Sequence, residues 1–123
     1  MTNPGSVGVA ERRDTGKSVP AGASIRVTQG FYEGLEVPLD RDWMVLGRGR
    51  GADVVIAEST ISRAHVAIGY DEEGFFMQDL GSRNGTRVNG EPGARARLSD
   101  GDQLQLGMLQ LQVSLPSGDN GAT

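Results

Sequence analysis

Between Ser24 and Val113 the chain alternates apolar and polar positions in short runs, and turn residues interrupt it every few positions. Ser24–Gln29 and Leu35–Leu39 alternate in this way, and Pro38 marks the second run as an edge or a strand end. Trp43–Leu46 and Val54–Ile56 are short apolar runs, followed by His65–Tyr70, Gly74–Leu80 and Thr86–Val88. Arg95–Leu98, Leu104–Leu106 and Leu109–Val113 close the series with strict period-two alternation, the mark of a half-buried strand. Asp71-Glu72-Glu73-Gly74 and Asn89-Gly90 are turn signals between neighbours. No window carries a helical stripe. About ten or eleven short strands with frequent turns predict an all-β sandwich. Phe75-Phe76-Met77 spans both faces of its strand, which predicts core packing plus one exposed aromatic.

The pattern fades at both ends. Met1–Gly22 is rich in Gly, Ser, Pro and charge and holds only isolated valines, so residues 1–22 read as a flexible tail. Residues 117–123 read the same way, leaving one domain over residues 23–116. The chain has 123 residues, 19 of them glycines scattered without a period, which suits a fold with many tight turns. A net charge of −4 argues against nucleic acid or an anionic membrane as the partner. The absence of cysteine removes disulfides, thiolate catalysis and thiolate metal sites. His65 is the single histidine, so a metal site is not expected. No apolar run reaches the length of a membrane span, and Met1–Gly8 lacks the layout of a signal peptide. The expected location is the cytoplasm. On that view the sequon Asn84-Gly85-Thr86 is accidental.

Three polar clusters stand out: Gly47-Arg48, Ser62-Arg63-Ala64-His65 and Ser82-Arg83-Asn84-Gly85-Thr86. Each lies in or beside a loop between strand-like runs. Loops gather at the two ends of a sandwich, and binding groups often sit on them. If these three meet, their guanidinium, hydroxyl and amide donors form a receptor for a phosphate group. Arg48, Arg50, Arg63, Arg83 and Arg87 would then make a positive patch on an acidic body. Each feature alone is common in β proteins; a lone histidine beside an apolar strand is most often structural.

In combination, order and spacing, Gly47-Arg48, Ser62-x-x-His65 and Asn84-Gly85 resemble the forkhead-associated (FHA) domain family. So does the string Asp79-Leu80-Gly81-Ser82-x-Asn84-Gly85-Thr86-x-Val88-Asn89-Gly90, and the likeness runs from about Ser24 to Leu115. The resemblance implies a SMAD/FHA-like β-sandwich of about eleven strands that binds phosphothreonine peptides through loops at one end, without catalysis and without a cofactor. It assigns Arg48 and Ser62 to the phosphate, Arg63 to the phosphate or the phosphothreonine backbone, and Arg83 and Asn84 to the peptide. Thr60 falls where the third residue after the phosphothreonine is read. Gly47, His65 and Gly85 become architectural, and Asn89 and Gly90 form a turn. Arg83 stands where a small hydroxyl residue is frequent, and Ala64 where a basic residue is.

The partners implied are phosphothreonine-containing proteins, and through them a Ser/Thr protein kinase. Arg12-Arg13-Asp14-Thr15 resembles the substrate of a basophilic kinase, which makes Thr15 a candidate phosphosite that this domain could bind within or between chains. The main rival is a scaffold of the same fold that binds a protein surface independently of phosphorylation. A small hydrolase is the third reading; Ser62 lacks an evident base, since His65 is three residues on. Gly47-x-Gly49-x-Gly51 and Gly16-Lys17-Ser18 lack the spacing and context of nucleotide loops. Asp71-Glu72-Glu73 and Asp100-Gly101-Asp102 read as acidic turns, and Asp53 as a residue that orients a loop.

Overall fold

The structure is a computed structural model and describes residues 18–116. Its strands are β1 (Ser24–Gln29), β2 (Glu36–Pro38), β3 (Trp43–Gly47), β4 (Val54–Val55), β5 (Val66–Asp71), β6 (Gly74–Asp79), β7 (Thr86–Val88), β8 (Glu91–Pro92), β9 (Arg95–Arg97), β10 (Gln103–Leu106) and β11 (Leu109–Ser114). They form a six-stranded sheet, in the order β2-β1-β11-β10-β7-β8, and a five-stranded sheet, in the order β4-β3-β5-β6-β9. Period-two alternation turns one face of each sheet inward. Ile25, Val27, Leu104, Leu106, Leu111 and Val113 come from the first sheet, and Met44, Leu46, Val66, Ile68, Phe75 and Met77 from the second. Together they make one core. Burying each such side chain contributes about 1.5–3 kcal/mol.

Pro38 does lie on an edge strand, β2, where the missing N–H leaves no ladder bond unmade. Asn89 and Gly90 have φ of 52° and 86° and join β7 to β8, whose last pair is Val88 with Glu91. Two left-handed residues make the tight turn whose twist matches a hairpin. The polar, exposed β8 escapes the hydrophobic pattern, which holds no run there. Phe76 departs from expectation. It points away from the core yet is 7 % exposed, because its ring lies over Gly69 and is covered by the guanidinium of Arg95, 4.0 Å from the ring centre. Val19, within the stretch read as a tail, packs partly buried against the core. Residues 117–123 lie outside the described residues, as does Thr15.

Strand directions decide where the loops go. β1, β3, β4, β6 and β10 end, and β2, β5, β7 and β11 begin, at one end of the sandwich, as the registers Gln29↔Gln110, Gly47↔Val55, Leu46↔Val66 and Leu106↔Thr86 require. Among the described residues no helix is long and apolar enough to cross a membrane.

Candidate functional site

The site starts where β3 runs out of core. Leu46 is fully buried; after it the backbone of Gly47 passes so close to the next loop that a Cβ would collide with the carbonyl of Arg63. Glycine permits this approach. The Arg48 N–H then donates to Ser62 O at 3.0 Å, and the Gly49 N–H to Arg63 O at 3.1 Å. These bonds zip the β3–β4 loop to the β4–β5 loop. The Arg48 Nε–H donates to Ile61 O at 3.0 Å, fixing the plane of the guanidinium.

His65 holds the loops together from beneath. It is fully buried, and its Nδ1 accepts the Ser62 N–H at 3.0 Å. Nε2 lies 2.8 Å from Gly85 O, a carbonyl that can only accept, so the ring proton sits on Nε2. One imidazole thereby satisfies a donor in the β4–β5 loop and an acceptor in the β6–β7 loop. Above it, the Arg83 N–H donates to Ser62 Oγ at 3.0 Å, and Asn84 Nδ2 donates to Thr60 O at 2.7 Å.

Asp79, the last residue of β6, organises the β6–β7 loop. Oδ2 accepts the N–H groups of Gly81 and Ser82, both at 3.0 Å. Oδ1 accepts the hydroxyls of Ser82 at 2.6 Å and Thr86 at 2.7 Å. Ser82 Oγ in turn accepts the Gly85 N–H at 2.9 Å. Partial burial alone would raise the Asp79 pKa; the Ser82 and Thr86 hydroxyls and the two N–H groups outweigh it and hold the carboxyl below its ordinary value. Asp79 is a functional residue that the three polar clusters do not include. Its signal was present: an Asp two residues before Gly and three before Ser has the spacing of an Asx turn.

These loops enclose an open cleft of about 360 Å³ whose walls include Arg48, Thr60, Ser62, Arg63, Arg83 and Asn84. All the residues expected to touch the phosphopeptide therefore line one cleft. Arg50 and Arg87 do not; Arg87 reaches back to Gly90 O at 3.1 Å. Asn89 and Gly90 form their hairpin turn away from the cleft, and Asn89 braces Asp102 and the Gln103 N–H, both at 2.9 Å. Thr60 lines the cleft, but its hydroxyl donates to Glu58 Oε2 and accepts the Met108 N–H, each at 2.8 Å.

Among the described residues Arg48, Arg63 and Arg83 form no ion pair, whereas Arg41, Arg95 and Arg97 pair with Asp53, Asp71 and Glu73. Asp53 also accepts the Val45 N–H at 2.8 Å, the loop-orienting role expected of it. Three guanidinium groups without carboxylates thus face one space, beside a serine whose hydroxyl oxygen already accepts a bond. That oxygen keeps its proton for an incoming acceptor. His65 spends Nδ1 on the Ser62 N–H and Nε2 on Gly85, so neither nitrogen serves Ser62 Oγ as a base.

The sequence profile of the FHA domain matches residues 44–107, from within β3 to the β10–β11 turn. The chain belongs to the FHA domain family. An oxoglutarate dehydrogenase inhibitor of Corynebacterium diphtheriae is 35 % identical over 105 residues, covering 85 % of this FHA chain and 73 % of the relative. The glycogen accumulation regulator GarA of Mycobacterium tuberculosis is 35 % identical over 92 residues, covering 75 % of the chain but 57 % of GarA. A structure solved in work on phosphothreonine-dependent FHA domain interactions superposes with a TM-score of 0.70 at 30 % identity, covering 76 % of this chain and 96 % of the other. These relatives carry the names of an inhibitor and a regulator.

Proposed function

We propose that the chain is a phosphothreonine-recognition module that recruits proteins phosphorylated by Ser/Thr kinases in the cytoplasm, and that it is not an enzyme. The observation that carries this reading is the cleft where Arg48, Arg63 and Arg83, free of carboxylates, flank the Ser62 hydroxyl. A phosphothreonine brings about −1.5 to −2 charges and three strong acceptor oxygens. Arg48, its plane set by Ile61 O, and the Ser62 O–H bind those oxygens. Arg63 and Arg83 add charge at the rim, and Asn84 holds the peptide main chain. Gly47, His65 and Gly85 act by shaping the loops.

Titration with matched phosphothreonine, phosphoserine and unphosphorylated peptide sets tests the reading. Selective phosphothreonine binding is expected, and Arg48→Ala should weaken it about tenfold or more while the fold persists. An Arg48→Ala variant that binds as tightly as the parent overturns it.

The name of the corynebacterial relative favours a second reading of the bound surface. In it, the same loops grip a component of an oxoglutarate dehydrogenase without phosphate. Binding of that enzyme, unphosphorylated, with an affinity indifferent to Arg48→Ala, would select this reading.

A further inference from the structure

Glu58 carries the wrong charge for its place. It stands two positions before Thr60, which lines the cleft that Arg48, Arg63 and Arg83 make positive. No cation pairs with it among the described residues. A carboxylate there opposes the entry of a phosphate. Its hydrogen bonds give it another task.

Glu58 Oε2 accepts the Thr60 N–H at 3.1 Å and the Thr60 hydroxyl at 2.8 Å. Glu58 O accepts the Ile61 N–H at 3.1 Å, so side chain and main chain close the same turn. On the other side, the Met108 N–H donates to Thr60 Oγ1 at 2.8 Å. The β10–β11 turn comes this close because Gly107 has no Cβ to collide with the Thr60 carbonyl. The Thr60 hydroxyl therefore gives its proton to Glu58 and takes one from Met108. Thr60 cannot rotate without losing a bond.

The fixed part that matters is the Thr60 carbonyl. It accepts Asn84 Nδ2 at 2.7 Å. A carbonyl only accepts, so the nitrogen of the Asn84 amide faces Thr60, and Oδ1 and the second N–H are left for a ligand. A peptide main chain needs such a pair, one acceptor for its N–H and one donor for its C=O.

We infer that Glu58 is a positioning residue for phosphothreonine-peptide binding: through Thr60 it orients the Asn84 amide toward the peptide main chain, and this gain outweighs the repulsion from its own charge. The inference rests on the phosphothreonine reading of the cleft and adds to it a residue that touches no ligand atom.

Two substitutions separate geometry from charge. Glu58→Gln removes the charge and keeps an acceptor oxygen, whereas Glu58→Ala removes both. If charge alone counted, both variants would bind a phosphothreonine peptide more tightly than the parent, most of all at low salt. Instead Glu58→Ala should bind about fivefold more weakly, and Glu58→Gln should match or exceed the parent. In an Asn84→Ala background the further loss from Glu58→Ala should shrink below about twofold, because the group it positions is gone. In the peptide-free chain the Asn84 side-chain amide resonances should move in Glu58→Ala and stay in Glu58→Gln, with core resonances unchanged in both. Parental or tighter binding by Glu58→Ala overturns the inference alone. So does a Glu58→Gln variant as weak as Glu58→Ala, a pair of losses from positions 58 and 84 that simply multiply, or a disturbed core in Glu58→Ala. A parent chain that does not prefer phosphothreonine to threonine overturns the cleft reading, and the inference with it.

Discussion

The hydroxyl oxygen of Ser62 accepts the backbone N–H of Arg83 at 3.0 Å, across two loops that are 21 positions apart in sequence. The bond sets both ends at once. It holds Arg83 at the cleft rim, and it leaves the Ser62 proton as the group available to an acceptor in the cleft. Ser62→Ala removes the proton and unfastens the β6–β7 loop. Phosphothreonine affinity should fall about tenfold. The Arg83 amide should shift in an NMR spectrum of the peptide-free chain, with the core resonances unchanged. A Ser62→Ala variant with parental affinity would show that the phosphate is held without this hydroxyl.

His65 is a stability residue as much as a positioning one. Truncation to Ala leaves the Ser62 N–H and the Gly85 carbonyl without their buried partner, and opens a cavity below the cleft. An unsatisfied buried group costs about 1–3 kcal/mol, so with the cavity His65→Ala should destabilise the domain by about 3 kcal/mol or more. Chemical denaturation measures this directly. Binding should fail together with loop order, in contrast to Arg48→Ala, which should lose binding and keep its denaturation midpoint.

The strands were legible in the sequence because burial imposes their period. The alternation over Ser24–Gln29 matches β1 at both bounds, since Ile25 and Val27 face the core while Arg26 faces water. β8 was not legible: Glu91-Pro92 is exposed, and only its pairing with Arg87 and Val88 makes it a strand. Phe76 departs from the pattern because its outward-facing ring does not meet water: Arg95 and Arg97, distant in sequence, cover it. The site residues were recognisable by spacing and type. Their convergence was not, since it depends on β3, β5 and β6 lying side by side in one sheet while the chain crosses from β6 to β7 in the other. The engagement of the Thr60 hydroxyl is not legible, since its partner Met108 lies 48 positions away; the Asp79 bonds to Gly81 and Ser82 are local, and their trace lies in the polar spacing rather than in the apolar pattern.

Gly47 tests whether close approach is the basis of the Gly-Arg pair. In Gly47→Ala the methyl group meets the Arg63 carbonyl, a backbone atom that cannot rotate away. The β3–β4 and β4–β5 loops must separate, breaking the bonds from Arg48 N and Gly49 N. Overpacking of this kind costs about 1–3 kcal/mol. Affinity for phosphothreonine peptides should drop by more than the Arg63→Ala or Arg83→Ala substitutions cause, although position 47 has no side chain to contact a ligand. Parental affinity in Gly47→Ala would mean that the loops tolerate separation.

Two acid dependences should be separable. Binding should weaken below about pH 6, where the phosphate takes up a proton. Stability should change lower, through Asp79. Its folded-state pKa lies below the ordinary value of 3.8 despite partial burial, because the Ser82 and Thr86 hydroxyls and two N–H groups favour the carboxylate. The unfolded chain therefore takes up the proton first as pH falls. The stabilisation is complete above 3.8 and is lost as pH drops through the folded-state value. Asp79→Asn removes an acceptor from those donors; because the carboxylate is partly solvated, the loss at neutral pH should be about 1 kcal/mol. Denaturation midpoints of the parent and Asp79→Asn, compared from neutral pH down to about pH 2.5, isolate this group from Asp71, whose carboxyl Arg97 also holds low. The gap between the two proteins should stay constant down to about pH 4 and close below it. A gap that closes already between pH 7 and about pH 5 would mean that Asp79 is not the carboxylate holding the loop.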